Sequence, residues 1–206
     1  SGASVSLSSD GTIVAIGAIH NDETGINAGH VRVYQYDADK DAEVTDQTAS
    51  DFGPIGWNRL GDDIDGDGEA TDDYNGYSVS LSSNGSIVAI GQPTLDARNG
   101  ARVFALDNGA WVQRGGHIVG EAINDKSGTS VSLSSDGSIV AIGSIYNDGS
   151  TDNAGHVRVY KYDSGSPAEN DQSSPDFGPV KWRRLGADID GEPIISDYSG
   201  WSVSLS

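Results

Sequence analysis

The chain of 206 residues contains no cysteine and no methionine, and few of its residues are basic. Without cysteine it can form neither a disulfide framework nor a thiolate metal site, and it offers no cysteine nucleophile. Without methionine even at position 1, the sequence is predicted to be a processed form or a segment of a longer protein. No run of 18 or more apolar residues occurs, so the sequence predicts no membrane span.

The charge of the chain is strongly one-sided. It has 31 acidic and only 12 basic residues, which gives a formal net charge of -19. Such a field repels phosphate backbones and anionic lipid surfaces, so neither nucleic acid nor membrane insertion is expected. Of the acidic residues, 25 are Asp and 6 are Glu. Asp suits turns and hard cations, so this bias fits either a soluble surface or cation binding.

One hairpin sequence occurs three times and begins a fourth time. "SVSLSSDGTIVAIG" at residues 4–17 returns as "SVSLSSNGSIVAIG" at 78–91 and as "SVSLSSDGSIVAIG" at 130–143, and the sequence stops within "SVSLS". The copies divide the chain into four units: residues 1–75, 76–127, 128–199 and 200–206. Tandem repetition on this scale is typical of propellers and solenoids, in which each repeat packs on its neighbours.

Each full unit carries four segments with strand patterns. In the first unit, "ASVSLS" and "TIVAIGA" flank an "SDG" hairpin turn, and "GHVRVYQYD" alternates apolar with polar residues. The fourth segment begins at a tryptophan in every unit, Trp57, Trp111 or Trp182. The sequence therefore predicts an all-β protein of four-stranded antiparallel, β-propeller-type blades: three blades plus the first strand of a fourth.

The units differ in length mainly between their third and fourth strands. Residues 38–56 and 164–181 are polar insertions that share "DFGP", whereas the middle unit has a short turn there. Insertions at one equivalent point lie on one face of a repeat protein, which is often its binding face.

The complete unit resembles the FG-GAP repeats, the β-propeller repeats of the integrin α-subunit head and of many secreted or surface proteins. The matching pieces are "GxSVSLS", "IVAIGA", "AGHVRVYxYD" and the following W-x-x-L element. This resemblance implies a β-propeller and an extracellular or cell-surface location. Two features differ from the family: the first turn is a short "SSDG" or "SSNG" without the calcium-binding loop, and no Phe precedes Gly2, Gly76 or Gly128.

An acidic segment of the first unit is the main candidate for a metal site. Asp63, Asp65 and Asp67 alternate before Gly68, and alternate carboxylates at a glycine turn can converge on Ca²⁺. The twelfth position from Asp63 is Tyr74, so the segment is not an EF-hand loop. The predicted Ca²⁺ ligands are Asp63, Asp65, Asp67, Glu69 and Asp73, with a weaker equivalent set at Asp188, Asp190, Glu192 and Asp197. The alternative interpretation is a solvated acidic turn between blades.

No catalytic residue and no certain cofactor are predicted. Nearly every serine is repeated or lies in a strand pattern, so no unique nucleophile with a base and an orienting acid is indicated. The histidines show neither H-x-x-x-H nor H-E-x-x-H spacing. His30 and His156 occupy the same strand position in two units, which predicts a scaffold role rather than a zinc site.

Three blades do not close a ring, because propellers use about four to eight. The open edges are predicted to be covered either by further blades or by copies that join edge to edge. We therefore expect a non-enzymatic extracellular protein with a structural, adhesive or assembly role, for example in a fibre or surface layer. Its expected partners are proteins or further copies. A module that binds glycans or a protein ligand through the insertions is the alternative, and a hydrolase is a third interpretation.

Overall fold

The strands form three separate antiparallel sheets, one for each full unit. The computed structural model describes residues 2–66, 72–93, 100–149, 151–174 and 176–206. These residues contain no helix, and hence none that could span a membrane. The predicted all-β fold of four-stranded, propeller-type blades is confirmed.

The first sheet shows how the repeat pattern becomes a blade. Its strand segments are β1 (Ser4–Leu7), β2 (Ile13–Ala18), β3 (His30–Tyr36), β4 (Trp57–Arg59) and β5 (Ile64–Asp65). β1 pairs with β2, β2 pairs with β3, and both β4 and β5 pair with β3. Between β4 and β5, the Leu60 N–H still donates to the carbonyl oxygen of Val33 at 2.7 Å. Residues 57–65 therefore form one fourth strand with an interruption.

The second and third sheets repeat this arrangement. The second contains β6 (Ser78–Leu81), β7 (Ile87–Gln92), β8 (Gly100–Asp107), β9 (Ala110–Gln113) and β10 (Ile118–Val119). The third contains β11 (Ser127–Leu133), β12 (Ile139–Ser144), β13 (His156–Tyr162), β14 (Trp182–Arg184) and β15 (Ile189–Asp190). Equivalent residues lie at equivalent places in the three blades. A difference in exposure or contacts between them therefore reflects what lies next to each blade.

The turn between the first two strands is held by one side chain. Asp10 Oδ1 accepts hydrogen bonds from the Ser8 hydroxyl at 2.7 Å, the Thr12 hydroxyl at 2.9 Å and the Thr12 N–H at 3.0 Å. Asp136 and Asn84 hold the equivalent turns of the other two units in the same way. The repeated "SSDG" and "SSNG" are thus explained by turn geometry.

These turns predict two unusually acidic carboxyl groups. Hydrogen bonds, first of all from the Ser8 or Ser134 hydroxyl, lower the pKa of Asp10 and Asp136 from 3.8 to about 2. Because the pKa is lowered in the folded state, the stabilisation is present above pH 3.8 and is lost as the pH falls through about 2. We expect NMR titration of both carboxyl groups to show midpoints near these values, and Ser134→Ala to raise that of Asp136 alone. A midpoint near 3.8 for Asp136 in the unmodified chain would contradict the described turn.

The first strands of the three sheets lie next to one another, with β6 between β1 and β11. The backbone N–H of Leu81 donates to the hydroxyl of Ser6 in the preceding unit at 2.9 Å. The N–H of Leu133 donates to the hydroxyl of Ser80 in the same way, at 3.0 Å. The alternating serines of "SVSLS" therefore connect one unit to the next.

Residues 200–206 lie against the third sheet, where the first strand of a following unit would lie. The Leu205 N–H donates to the Ser132 hydroxyl at 2.9 Å, and the Ser130 hydroxyl donates to the Gly200 carbonyl at 2.7 Å. These contacts repeat those between the earlier units. Residues 201–206 are not assigned to a strand, since first strands pair with the second strand of their own unit.

The hydrophobic core lies between adjacent sheets. One cluster joins the first two units: Ala15, Val31, Val33, Ile64, Val79, Leu81, Val88, Ile90 and Phe104. The other joins the second and third units: Ala89, Ala101, Val103, Ile118, Val131, Leu133, Val140, Ile142, Tyr160 and Trp182. Each blade therefore buries its apolar face by packing against a neighbouring copy, which is the main stabilising contribution in such a repeat.

Candidate functional site

A partly buried ion pair lies where the sequence predicts calcium. Arg32 donates from Nε to Asp63 Oδ2 at 2.8 Å, and Arg32 Nη2 lies 2.7 Å from the same oxygen. Arg59 Nη1 lies 3.6 Å from Asp63 Oδ1. The hydrogen bond with Asp63 raises the pKa of Arg32. Asp63 is therefore a partner of two guanidinium groups.

His30 lies beside this ion pair because β3 pairs with β5. The register places His30 opposite Asp65, and His30 Nδ1 is 3.6 Å from Asp63 Oδ2. Burial, followed by the charge of Arg32, lowers the pKa of His30. Burial, followed by the charges of Asp63 and Glu23, raises the pKa of Asp65. Glu23, Arg32, Asp63 and Asp65 line an open cleft of about 250 Å³, so solvent and ions can reach the cluster.

The third unit contains an equivalent cluster. Arg158 donates to both carboxylate oxygens of Asp188, from Nε at 2.9 Å and from Nη2 at 2.7 Å. Burial opposes ionisation of Asp188, but the hydrogen bonds and charge of Arg158 outweigh it and lower the pKa of Asp188. His156 Nδ1 is 4.0 Å from Asp190 Oδ1. Glu121, which belongs to the second unit, reaches Arg158 Nη2 through Oε2 at 3.1 Å.

The structure describes most of the predicted Ca²⁺ ligands. Asp63 and Asp65 lie in the cluster of the first unit, and Asp188 and Asp190 lie in that of the third. The other five are distributed as follows: Asp73 is buried, the exposed Glu192 donates its N–H to Asp197 Oδ2 at 3.2 Å, and Asp67 and Glu69 lie outside the described residues. The calcium site stays a prediction.

Sequence reasoning did not include Glu23, His30 or Glu121 in these clusters. A signal for His30 was present, because it recurs as His156 and lies on the same side of its strand as the arginine two residues later. Pairing the third strand with the fourth would have brought that side next to the acidic segment. No sequence signal indicated Glu121, because it reaches the cluster from the neighbouring unit.

Each insertion packs onto its cluster through one phenylalanine. The Phe52 ring contacts two guanidinium groups, with its centroid 5.2 Å from Arg32 Cζ and 5.9 Å from Arg59 Cζ. Phe177 is placed in the same way in the third unit, at 5.4 and 5.7 Å from the equivalent arginines. Such contacts between arginine and an aromatic face are favourable. The shared "DFGP" is therefore explained by packing.

The second candidate site is the side of the first unit that no preceding unit covers. We call it the leading face, and it comprises Val5, Leu7, Gly11 and Trp57. Leu7 is 57% exposed, whereas its equivalents Leu81 and Leu133 are 7% and 4% exposed. Val5 is 66% exposed, and its equivalents are likewise buried. The same side chains are thus core residues wherever another unit precedes them.

The third unit has the complementary open side. We call it the trailing face, and it comprises Ile139, Leu185, Gly186 and Ile189. Ile189 is 59% exposed, whereas its equivalents Ile64 and Ile118 are 4% and 2% exposed. The position of Ile189 is therefore a core position wherever another unit follows.

Tryptophans form the outer part of each joint between units. Trp111 Nε1 donates to the Leu60 carbonyl of the preceding unit at 2.7 Å, and Trp182 Nε1 donates to the Arg114 carbonyl at 2.8 Å. The Trp111 ring lies so close to Gly61 that a Cβ there would be 2.8 Å from the ring. A glycine is therefore required where each tryptophan docks.

The hairpin turns form a further part of each joint. A Cβ at Gly85 would lie 2.6 Å from Ile13 of the preceding unit, and one at Gly137 would lie 2.5 Å from Ile87. At Gly11, the equivalent on the leading face, nothing lies within 4 Å among the described residues. Gly11 has a φ of +73°, so the turn itself accounts for the glycine, and the space beside it is open among the described residues.

No family model matches the chain, and no curated protein is detected as a relative. Among solved structures, the periplasmic gluconolactonase PpgL of Pseudomonas aeruginosa is 14% identical with a TM-score of 0.44, over 77% of this chain and 39% of that one. The tricorn protease is 10% identical with a TM-score of 0.44, over 92% and 17%. TolB of Acinetobacter baumannii is 15% identical with a TM-score of 0.36, over 91% and 43%. The chain spans less than half of each of these proteins, and no activity is transferred from them.

Proposed function

We propose that the protein is a non-enzymatic structural repeat protein, located outside the cell or at its surface, that assembles through its leading and trailing faces. The partner is a second copy of the same chain, joined head to tail. The observation that carries this proposal is the contrast in exposure at equivalent positions. Leu7 and Ile189 are exposed, although the equivalents of each in the two other units are core residues. Exposed apolar surface that is rimmed by polar groups is characteristic of interaction sites.

The two faces are complementary because they are the two halves of the joint between units. At this intermolecular joint, Trp57 of one copy donates to the Leu185 carbonyl of another, as Trp111 and Trp182 do within the chain. The Trp57 ring covers Gly186, which has no atom within 4 Å of its Cβ position among the described residues. The new interface therefore continues one that the fold already contains twice.

A head-to-tail contact has a defined consequence for assembly. Because the leading face of one copy meets the trailing face of the next, the contact is heterologous. Copies joined in this way close into a ring if the rotation per copy allows it, and otherwise they propagate into a filament.

Charge substitutions on the two faces test this proposal. The unmodified chain is expected to sediment as oligomers after prolonged incubation at high concentration. Val5→Asp and Ile189→Asp are each expected to sediment as monomers, because a buried unpaired carboxylate is costly. Their equimolar mixture is expected to form a dimer, since it combines one intact leading face with one intact trailing face.

The exposed Val112, which lies away from both faces, supplies the matched control. Val112→Asp is expected to assemble like the unmodified chain in analytical ultracentrifugation. Monomers of the unmodified chain at every concentration, or assembly by Val5→Asp alone, would refute the head-to-tail joint.

Ligand binding through the insertion of the third unit is a second candidate function. A cleft of about 600 Å³ lies beside that insertion, and its lining includes Asp163, Asp176 and Arg183. Arg183 is already within 3.4 Å of Asp163 and 3.0 Å of Asp176, so these charged groups are paired with one another. Saturable glycan binding that Arg183→Ala abolishes would favour this function over assembly.

A further inference from the structure

We infer that the cluster Glu23, His30 and Asp63 binds one divalent first-row transition metal ion of the Zn²⁺ type. This triad offers one imidazole nitrogen and two carboxylate oxygens, and these ligand atoms lie within 4.8 Å of one another. This inference is independent of the proposed assembly function.

His30 provides the evidence that points to a ligand. It is 5% exposed, and its buried Nδ1 has no hydrogen-bond partner among the described residues. The 3.6 Å separation of Nδ1 from Asp63 Oδ2 is too long for a hydrogen bond. A buried imidazole nitrogen without a partner, beside carboxylates, is the observation that points to a ligand at this cluster.

Asp63 retains an oxygen for a metal ion although it pairs with arginine. Arg32 occupies Oδ2, whereas Oδ1 is buried and accepts no hydrogen bond from the described residues, with Arg59 Nη1 at 3.6 Å. An arginine that holds a carboxylate in place acts as an outer-shell partner of the kind that orients metal ligands. A further carboxylate, that of Asp65, lies beside the triad with a buried Oδ1 that also lacks a described donor.

The third unit has the same residue types but no free donor set. Both oxygens of Asp188 accept hydrogen bonds from Arg158, from Nε at 2.9 Å and from Nη2 at 2.7 Å, and Arg158 Nη2 also lies 3.1 Å from Glu121 Oε2. A guanidinium group therefore occupies the place between these carboxylates that a metal ion would need.

The middle unit serves as an internal negative control. It has Gly100 at the position of His30 and His117 at the position of Asp63, so it lacks the donor set. We therefore expect one metal ion per chain, in the first unit.

The donor chemistry selects the class of ion. Imidazole together with carboxylate suits Zn²⁺ and its neighbours in the first transition row. Ca²⁺ takes six to eight oxygen ligands, which a triad with one nitrogen does not supply. The predicted order of affinity is thus Zn²⁺ above Ca²⁺, in contrast to the calcium site expected from the acidic segment alone.

Titration of the full chain with Zn²⁺ alone tests the inference. Calorimetry is expected to give one ion per chain, and NMR is expected to show the imidazole signals of His30 shifting on addition while those of His156 stay unchanged. Glu23→Gln is expected to weaken Zn²⁺ binding by more than about tenfold. Because Glu23 is exposed, this variant keeps the fold, which circular dichroism verifies.

Two control variants complete the test. Glu121→Gln, in the equivalent cluster of the third unit, and Glu43→Gln, an exposed glutamate elsewhere, are each expected to retain Zn²⁺ binding. Absence of saturable Zn²⁺ binding, unchanged binding in Glu23→Gln, or tighter binding of Ca²⁺ than of Zn²⁺ would each overturn the inference.

Discussion

Replacing Leu133 with alanine is expected to lower the free energy of unfolding by about 3 kcal/mol, whereas the same change at Leu7 alters it by less than about 0.5 kcal/mol. The two leucines occupy the same place in their blades. Leu133 is 4% exposed in the joint between the second and third units, and Leu7 is 57% exposed on the leading face. The difference arises because only Leu133 loses buried contacts and leaves a cavity.

Denaturant unfolding of dilute protein measures this difference. Dilution keeps the leading face free, so that the Leu7→Ala value reports the single chain. Equal losses at Leu7 and Leu133 would mean that the units do not depend on a preceding copy for their core. At concentrations that allow assembly, Leu7→Ala is expected to weaken association.

The second large effect concerns the glycines on which the tryptophans dock. Gly115 has a φ of +84°, and a Cβ there would lie 2.6 Å from Trp182 Nε1. Gly186 has nearly the same φ, +81°, but has nothing within 4 Å of its Cβ position among the described residues. Alanine costs about 1–2 kcal/mol at either position because of the left-handed backbone. Gly115→Ala is expected to cost about 2 kcal/mol more, because it also displaces the fully buried Trp182.

The shared φ makes Gly186→Ala a matched control for backbone strain. Near-ultraviolet circular dichroism is expected to change for Gly115→Ala, since the ring of Trp182 moves, and to stay constant for Gly186→Ala. If both variants lose the same stability, tryptophan docking does not contribute to the joint.

Much of the blade could be predicted from the sequence, because its signals are local. The "SDG" turn indicates where β2 begins, and the alternation in "GHVRVYQYD" indicates β3. Neither signal needs knowledge of distant residues. The interruption of the fourth strand between Trp57 and Ile64 was not predicted, since "WNRLGDDIDG" gives no sign that Leu60 alone bridges its two segments to β3.

The candidate sites could be predicted only in part, because they depend on contacts between distant residues. Asp63 and Asp65 were recognised from their alternation, but the closeness of His30 follows from the register of β3 with β5. The contact of Phe52 with two arginines was likewise not predicted, because the insertion that contains it is mostly polar. Glu121 shows the limit most clearly, because its cluster lies in the next unit.

The placement of residues 200–206 has a kinetic consequence for the proposed assembly. This segment occupies the groove on the third sheet that β1 of an incoming copy would need, and it is anchored there by Ser130 and Ser132. If copies join head to tail as proposed, one of two equivalent segments must be displaced before the joint can close. We then expect the lag before assembly to depend on how often residues 200–206 detach.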